Sequence, residues 1–446
     1  MYEGIGLLLK TDRHGRSSGV SWKRSLRGAW FSEKISNSFP GKCNKKALRR
    51  VCPGRATWCK ASVNHLNNLE IHMKKSLLAL AVLGAFAGAA SAQSSVTLYG
   101  LLDIGMIRID PKNTSAPGAA NCGGPIQMPA SCSATTGIAT GIQSGPRFGL
   151  RGSEDLGGGL RAVYQLENGF SVDDGTLGQG GRIFGRWAWA GLAGSWGEVR
   201  LGRQWAFGFE MMGSIDPWAT GFNDAGIQSV MSTANAVRPD NMIAYRSANL
   251  SGVRFNLGYS FQTSGAEVAE SSKNNRFITA GASYSAGPLM VVGTYEIYKP
   301  ALTSLIVSPD DAKYLQLGAT YDFKVAKISA AYAIEEAIYA SGPSSLQPRR
   351  FALPTTLPTG VTGPQDATAW QVGLTVPVGS LSLIGSWAQR NYDNDRLKDG
   401  RVYAVGFTYP LSRRTNFYGY YSDASHKDIL SGDDRKEMAV GIRHSF

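Results

Sequence analysis

The chain closes on KEMAVGIRHSF, Lys436 to Phe446, and its polarity alternates at every step. Met438, Val440, Ile442, His444 and Phe446 fall on one side, with Glu437, Ala439, Gly441, Arg443 and Ser445 on the other. A period of two is a β-strand whose faces meet different surroundings. The pattern recurs upstream: Val253, Phe255, Leu257, Tyr259 and Phe261 oppose Arg254, Asn256, Gly258, Ser260 and Gln262. Leu160, Ala162, Tyr164 and Leu166 likewise oppose Arg161, Val163, Gln165 and Glu167, and Trp370, Val372, Leu374 and Val376 oppose Gln371, Gly373 and Thr375. One such strand would suit a soluble sandwich. Many strands of about ten residues, the length of a tilted membrane-crossing strand, point to a transmembrane barrel.

Sixteen segments follow the rule, at 95–109, 144–153, 160–171, 182–192, 197–204, 241–248, 252–263, 276–286, 288–299, 312–322, 325–337, 367–377, 380–390, 400–410, 414–423 and 436–446. Short connections, such as Glu154 to Gly159, Gly194 to Gly197 and Val378 to Ser380, alternate with long loops rich in Gly, Pro and Ser. That asymmetry predicts an all-β fold, a 16-stranded antiparallel transmembrane β-barrel with short periplasmic turns and long extracellular loops. Sixteen strands enclose more space than side chains fill, so an aqueous lumen follows. Closure leaves no unpaired backbone edge in lipid.

Residues upstream of the barrel carry a different message. Met73-Lys74-Lys75 precedes a 14-residue apolar run, Leu77 to Ala90, and then the small residues Ala90-Ser91-Ala92. This is the pattern of a secretory signal peptide over 73–92, too short for a membrane helix of about 20 residues. The mature chain is therefore expected to span 93–446, with 1–72 an upstream extension ahead of a credible start methionine. A long export leader and a basic interaction tail are the alternatives. Removing residues 1–92 takes away 16 of the 46 Lys and Arg and 4 of the 33 Asp and Glu, leaving 30 against 29. The formal charge of +13 thereby falls to about +1, which discards nucleic acid as a partner.

Three cysteines, Cys43, Cys52 and Cys59, leave with that segment, and their spacing lacks the paired form of a zinc site. Cys122 and Cys132 remain, inside a loop rich in Gly, Pro, Ser and Ala. An even pair in an exported chain reads as one disulfide, two free thiols being the other reading.

GPRFGLRGSEDLGGGLRAVYQLENGF (Gly145 to Phe170), RIFGRWAWAGL (Arg182 to Leu192) and GEVRLGRQW (Gly197 to Trp205) resemble the general porins of Gram-negative bacteria. The resemblance spans the mature chain and is strongest to the beta-proteobacterial type. It implies a homotrimeric diffusion channel of the outer membrane, often anion-selective, without cofactor. The partners it implies are outer-membrane lipids and lipopolysaccharide, small anionic and neutral solutes, and the barrel-assembly machinery, for which Phe446 would be the C-terminal signal. The loops diverge most, notably at Cys122, Cys132 and the long Tyr339 to Asp366 segment.

A channel's selectivity is set at its narrowest point. The interruption from Trp205 to Asp240 follows the fifth strand and so matches the family's inward-folded third loop, and its stretch FGFEMMGSIDPWATGFNDAG carries the acids Glu210, Asp216 and Asp224. On the wall, outward Phe148 and Leu150 would turn Arg147 and Arg151 inward, and outward Ile183 and Trp187 would turn Arg182 and Arg186 inward. By resemblance Arg147, Arg186 and Arg238 are constriction arginines, Glu167 is the acid beside them, and Asp216 is a candidate loop acid. Arg151, Arg161 and Arg182 are secondary lumen charges. Rings of arginine favour anions in a pore. A purely structural ion-pairing role for each is the alternative.

Enzyme chemistry finds little footing. After residue 92 the only histidines are His426, expected in the last long loop, and His444, on the lipid-facing register. No nucleotide loop, HExxH or Cys/His ligand cluster occurs, so neither catalytic residues nor a metal are expected. Other readings are a substrate-specific channel for sugars or dicarboxylates, which would need an aromatic ladder or basic track, and a surface adhesin or receptor on a closed barrel.

Overall fold

The computed structural model describes residues 94–112, 134–302, 310–340, 343, 346–354, 357–426 and 434–446. The leader region and the Cys122 and Cys132 pair lie outside the described residues. In chain order the first strands are β1 (Ser95–Pro111), β2 (Thr135–Thr140), β3 (Arg147–Gly157), β4 (Leu160–Gly169), β5 (Trp187–Gly194) and β6 (Gly197–Arg203). Next come β7 (Met242–Ser247), β8 (Val253–Ser260), β9 (Arg276–Ala286), β10 (Leu289–Lys299), β11 (Ala312–Asp322) and β12 (Lys327–Ile338). The wall ends with β13 (Gln365–Val378), β14 (Leu381–Tyr392), β15 (Gly400–Pro410), β16 (Thr415–His426) and β17 (Arg435–Ser445). From β3 onward each strand pairs antiparallel with the next, and β17 returns to β1, closing the cylinder.

Seventeen strands occupy sixteen wall positions, because β2 and β3 share one. The far half of β1, Ile104 to Ile109, pairs with β2, whereas its near half, Ser95 to Leu101, pairs with β3. The strand expected over 144–153 is thus a broken one, and its break spans 141–146. Gly141 sits at φ +68, and Pro146 has no N–H to give a ladder. Asp103 gathers the corner, its carbonyl accepting the Gly141 N–H at 2.9 Å and its side chain the Ser144 N–H.

The alternation that predicts the wall is its outer face. Met438, Val440 and Ile442 are 56, 45 and 42% exposed on the outside, while Ala439 and Gly441 between them are buried. Trp196, Tyr284, Tyr321, Phe323 and Tyr409, near the short turns, are also exposed. Aromatic residues at that level are the girdle a barrel sets at a membrane interface. Near this end the inward column stays wet, since Thr97, Arg151, Arg161 and Arg254 are exposed.

Farther in, the inward face is covered. Residues 204–241, between β6 and β7, fold inside and pack Phe207, Met212, Ile215, Ile227 and Val230 against inward alanines and valines of the wall. Ala331, Ala369, Ala388 and Val402 are among them. Part of the β12–β13 connection turns inward as well. Its Arg349 and Arg350 N–H groups donate to the Gln228 and Ser229 carbonyls, at 2.8 and 3.3 Å, and Phe351 is buried against Gly400.

Candidate constriction site

Polar groups on the wall meet orphan backbone groups of the inward loop. The loop opens with a short helix, α1 (Phe207–Met212), too brief to satisfy its own first N–H groups. Glu296 of β10 takes over, accepting the Gly208 N–H at 2.9 Å and the Thr279 hydroxyl at 2.6 Å. Glu335 of β12 accepts the Ser232 N–H at 2.8 Å and the Ser232 hydroxyl. Arg390 of β14 donates to the Val230 carbonyl and to Glu335, at 2.8 and 2.9 Å. Arg435 of β17 pairs with Asp224 at 2.7 Å and with Glu437 at 2.5 Å. Buried charges survive only when paired, so these contacts specify where the loop lies.

All four acids of the loop are engaged. Glu210 forms a two-point pair with Arg246 at 2.5 Å. Asp224 meets Arg435 and also Arg350 at 3.2 Å. Asp240 pairs with Arg203 at 2.6 Å and Arg182 at 2.7 Å. Burial opposes the Asp240 charge, but the Gly265 N–H and the two guanidiniums outweigh it and hold the carboxyl below its usual range. Asp216 is buried, its Oδ2 accepting the Thr220 and Ile227 N–H groups at 2.8 and 3.2 Å. The candidate loop acid therefore folds the loop back on itself. The exposed loop residues Ser214 and Ala219 bring no negative charge.

Arginines collect around β3 and β4, from the wall, from the segment before β5 and from the end of the loop. Glu167 of β4 accepts Arg186 Nε at 2.7 Å on one oxygen and the Tyr99 hydroxyl at 2.8 Å on the other. Arg147 of β3 is inward, its Nε donating to the Gly145 carbonyl at 3.0 Å. The charges acting most strongly on Arg147 are those of Arg186, Glu167 and Arg443. Burial first, then Arg186 and Arg203, then Arg147, push the Arg238 pKa down, with Glu167 opposing them. Guanidinium starts so high that it keeps its proton all the same. Arg147, Arg186 and Arg238 thus stand in one another's field around a single acid.

Other anticipated residues fall elsewhere. Arg151 points into the lumen with its guanidinium 5.2 Å from the Tyr99 ring centre, and Arg161 lies exposed at the turn end of β4. Arg182 is committed to Asp240. The register expected over 182–192 requires correction: β5 starts only at Trp187, and Trp187 pairs with inward Glu167, so its indole faces the lumen rather than lipid. Arg182 and Arg186 precede the strand, on a segment where Gln179, Gly180 and Gly181 have positive φ. Directly opposed residues of an antiparallel pair share a face, and that pairing outranks an alternation counted through glycines. His426 ends β16, its ring Nδ1 2.7 Å from Asp434, and not in a loop as its sequence setting suggests.

Two participants escape the sequence reading. Arg443, opposite Asp103, adds a fourth positive charge near Arg147, and it stands in the inward column of the quoted C-terminal strand. Tyr99 orients Glu167, a role no spacing announces.

A closed antiparallel cylinder with an apolar exterior, an aromatic girdle and a charged interior is the architecture of an outer-membrane β-barrel channel. The chain belongs to the Gram-negative porin family, whose model matches residues 79–428. An outer membrane porin protein of Bordetella pertussis is 38% identical over 398 residues, covering 84% of this chain and 100% of that protein. Outer membrane porin protein 32 of Delftia acidovorans is 31% identical over 401 residues, with the same coverage. Among solved structures, an anion-selective porin from Comamonas acidovorans is 26% identical and superposes with a TM-score of 0.61, over 79% of this chain and 100% of that one. The protein is a passive diffusion channel of the Gram-negative outer membrane.

Proposed function

We propose that this channel prefers anions, and that Arg147, Arg186 and Arg238 create the preference. One observation carries the reading: Arg186 pairs with Glu167 and the charges of Arg147 and Arg238 act on that same pair, while every acid of the inward loop is paired or buried. In a narrow opening flanked by low-dielectric protein, uncompensated positive charge raises the local anion concentration. The anion-selective porin among the structural relatives agrees with this sign. Small hydrophilic solutes, charged or neutral, would pass by diffusion, with no step in which a bond is made or broken.

The reading includes a homotrimer, as the family resemblance implies, and removal of residues 73–92 on export. Leu98, Leu102 and Ile104 on the outer face of β1 suit acyl chains and a neighbouring subunit equally. Zero-current potentials across a planar bilayer under a salt gradient test the charge assignment. Replacing Arg147 and Arg186 by glutamine should move the potential away from the chloride limit. An unmoved potential would refute the assignment.

A further inference from the structure

Resting on the anion-preferring reading, we infer that the lumen wall beside the constriction binds planar aromatic carboxylates. The register that turns Trp187 inward turns Trp189 inward too, one step nearer the periplasmic turn. Trp187 lies 4.7 Å from Trp205 between ring centres, and Trp205 lies 5.1 Å from Phe209, edge to face. Two cations sit among these rings. The Arg200 guanidinium stands 4.0 Å from the Trp189 ring centre, and that of Arg238 is 5.7 Å from Trp205 and 5.8 Å from Phe209. Arg200 is fixed in its plane by a two-point pair with Glu198, at 2.8 and 2.9 Å.

Buried polar atoms along the same strip lack partners. The indole N–H groups of Trp189 and Trp205 have none, nor does either amide atom of fully buried Gln204. An inorganic anion would use only the charges. A planar carboxylate uses both: its negative group meets Arg147 and Arg238, and its ring lies along Trp205 and the outer face of Arg200. Guanidinium planes and indole faces prefer a flat partner to a puckered one.

The experiment compares benzoate with cyclohexanecarboxylate, which match in charge and nearly in size, as blockers of chloride current through the full-length channel in a planar bilayer. Benzoate should interrupt the current at about five- to tenfold lower concentration, the range that cation–π contacts support. Trp189→Leu and Trp205→Leu should each narrow that gap. Equal potency of the two acids in the unsubstituted channel, or a gap that survives both substitutions, would overturn the inference. Zero-current potentials in KCl, taken in the same membranes, separate the two claims. A chloride-sided potential without a benzoate gap removes the strip alone, whereas a potassium-sided potential removes the constriction reading and the strip with it.

Discussion

Arg186 Nε stands 2.7 Å from Glu167 Oε1, and both side chains are nearly sealed from water, at 8 and 3% exposure. The pair fixes one arginine of the constriction and subtracts one charge from its field. Glu167→Gln keeps one acceptor oxygen for Arg186 and turns an amide N–H toward the Tyr99 oxygen, while deleting that charge. A unit charge a few ångström from an ion in a water-like medium is worth about 1 kcal/mol. Anion passage should ease about fivefold and cation passage fall about fivefold, so the anion-to-cation permeability ratio should rise by roughly thirtyfold. An unchanged ratio in zero-current measurements would show that Glu167 lies outside the ion path.

Fixed charges that act through water are screened by salt. The Debye length falls from about 10 Å at 0.1 M to about 3 Å at 1 M. Anion preference should shrink markedly over that range when measured at constant gradient. A preference indifferent to salt would mean that pore size, rather than the arginine cluster, sets it.

The inward loop hangs on buried ion pairs, of which Arg390 with Glu335 is the most enclosed, at 0 and 1% exposure. Arg390→Ala strands the carboxylate and frees the Val230 carbonyl. Breaking such a pair from one side costs about 3–5 kcal/mol. Denaturant unfolding should register that loss, and single-channel records should become noisier as the loop works loose. A variant matching the parent in both would deny the pair its anchoring role.

Gly100 and Phe446 close the cylinder with reciprocal hydrogen bonds of 3.0 and 3.2 Å, and the Phe446 ring occupies the space where a Cβ at position 100 would sit. Gly100→Leu should therefore lower the yield of folded barrel, judged by the heat-dependent mobility shift of folded porins on gels. In refolding from denaturant, where no assembly machinery acts, adding Phe446→Ala should bring no comparable further loss, because both changes strike one contact. Fully additive losses would separate the two residues.

The sequence exposes what lipid demands. Acyl chains accept only apolar side chains, so β4, β8, β13 and β17 advertise their outer faces, and the barrel follows. Inward faces are legible only where they meet water. Where the loop packs against them, Val292, Val402 and Ala404 make both sides of their strands apolar. Trp187 and Trp189 mislead for a related reason: aromatic residues suit a lipid interface and a lumen strip alike, and only pairing with β4 decides. Arg147 is identifiable because it opens β3, where the outward residues Phe148 and Leu150 that follow set its register. Asp216 and Asp224 look interchangeable in sequence, yet one binds backbone N–H groups and the other arginines from β17 and the β12–β13 connection. Such long-range partners leave no local trace. Arg443 was within reach of the same alternation that revealed the fold.

Single-channel recording in a planar bilayer under a KCl gradient tests the central claim most directly, because one experiment reports a water-filled path and the sign of its charge. Stepwise conductance that scales with bulk salt conductivity and a zero-current potential on the chloride side are the expected results. A closed membrane, or a potential on the potassium side, would contradict the account.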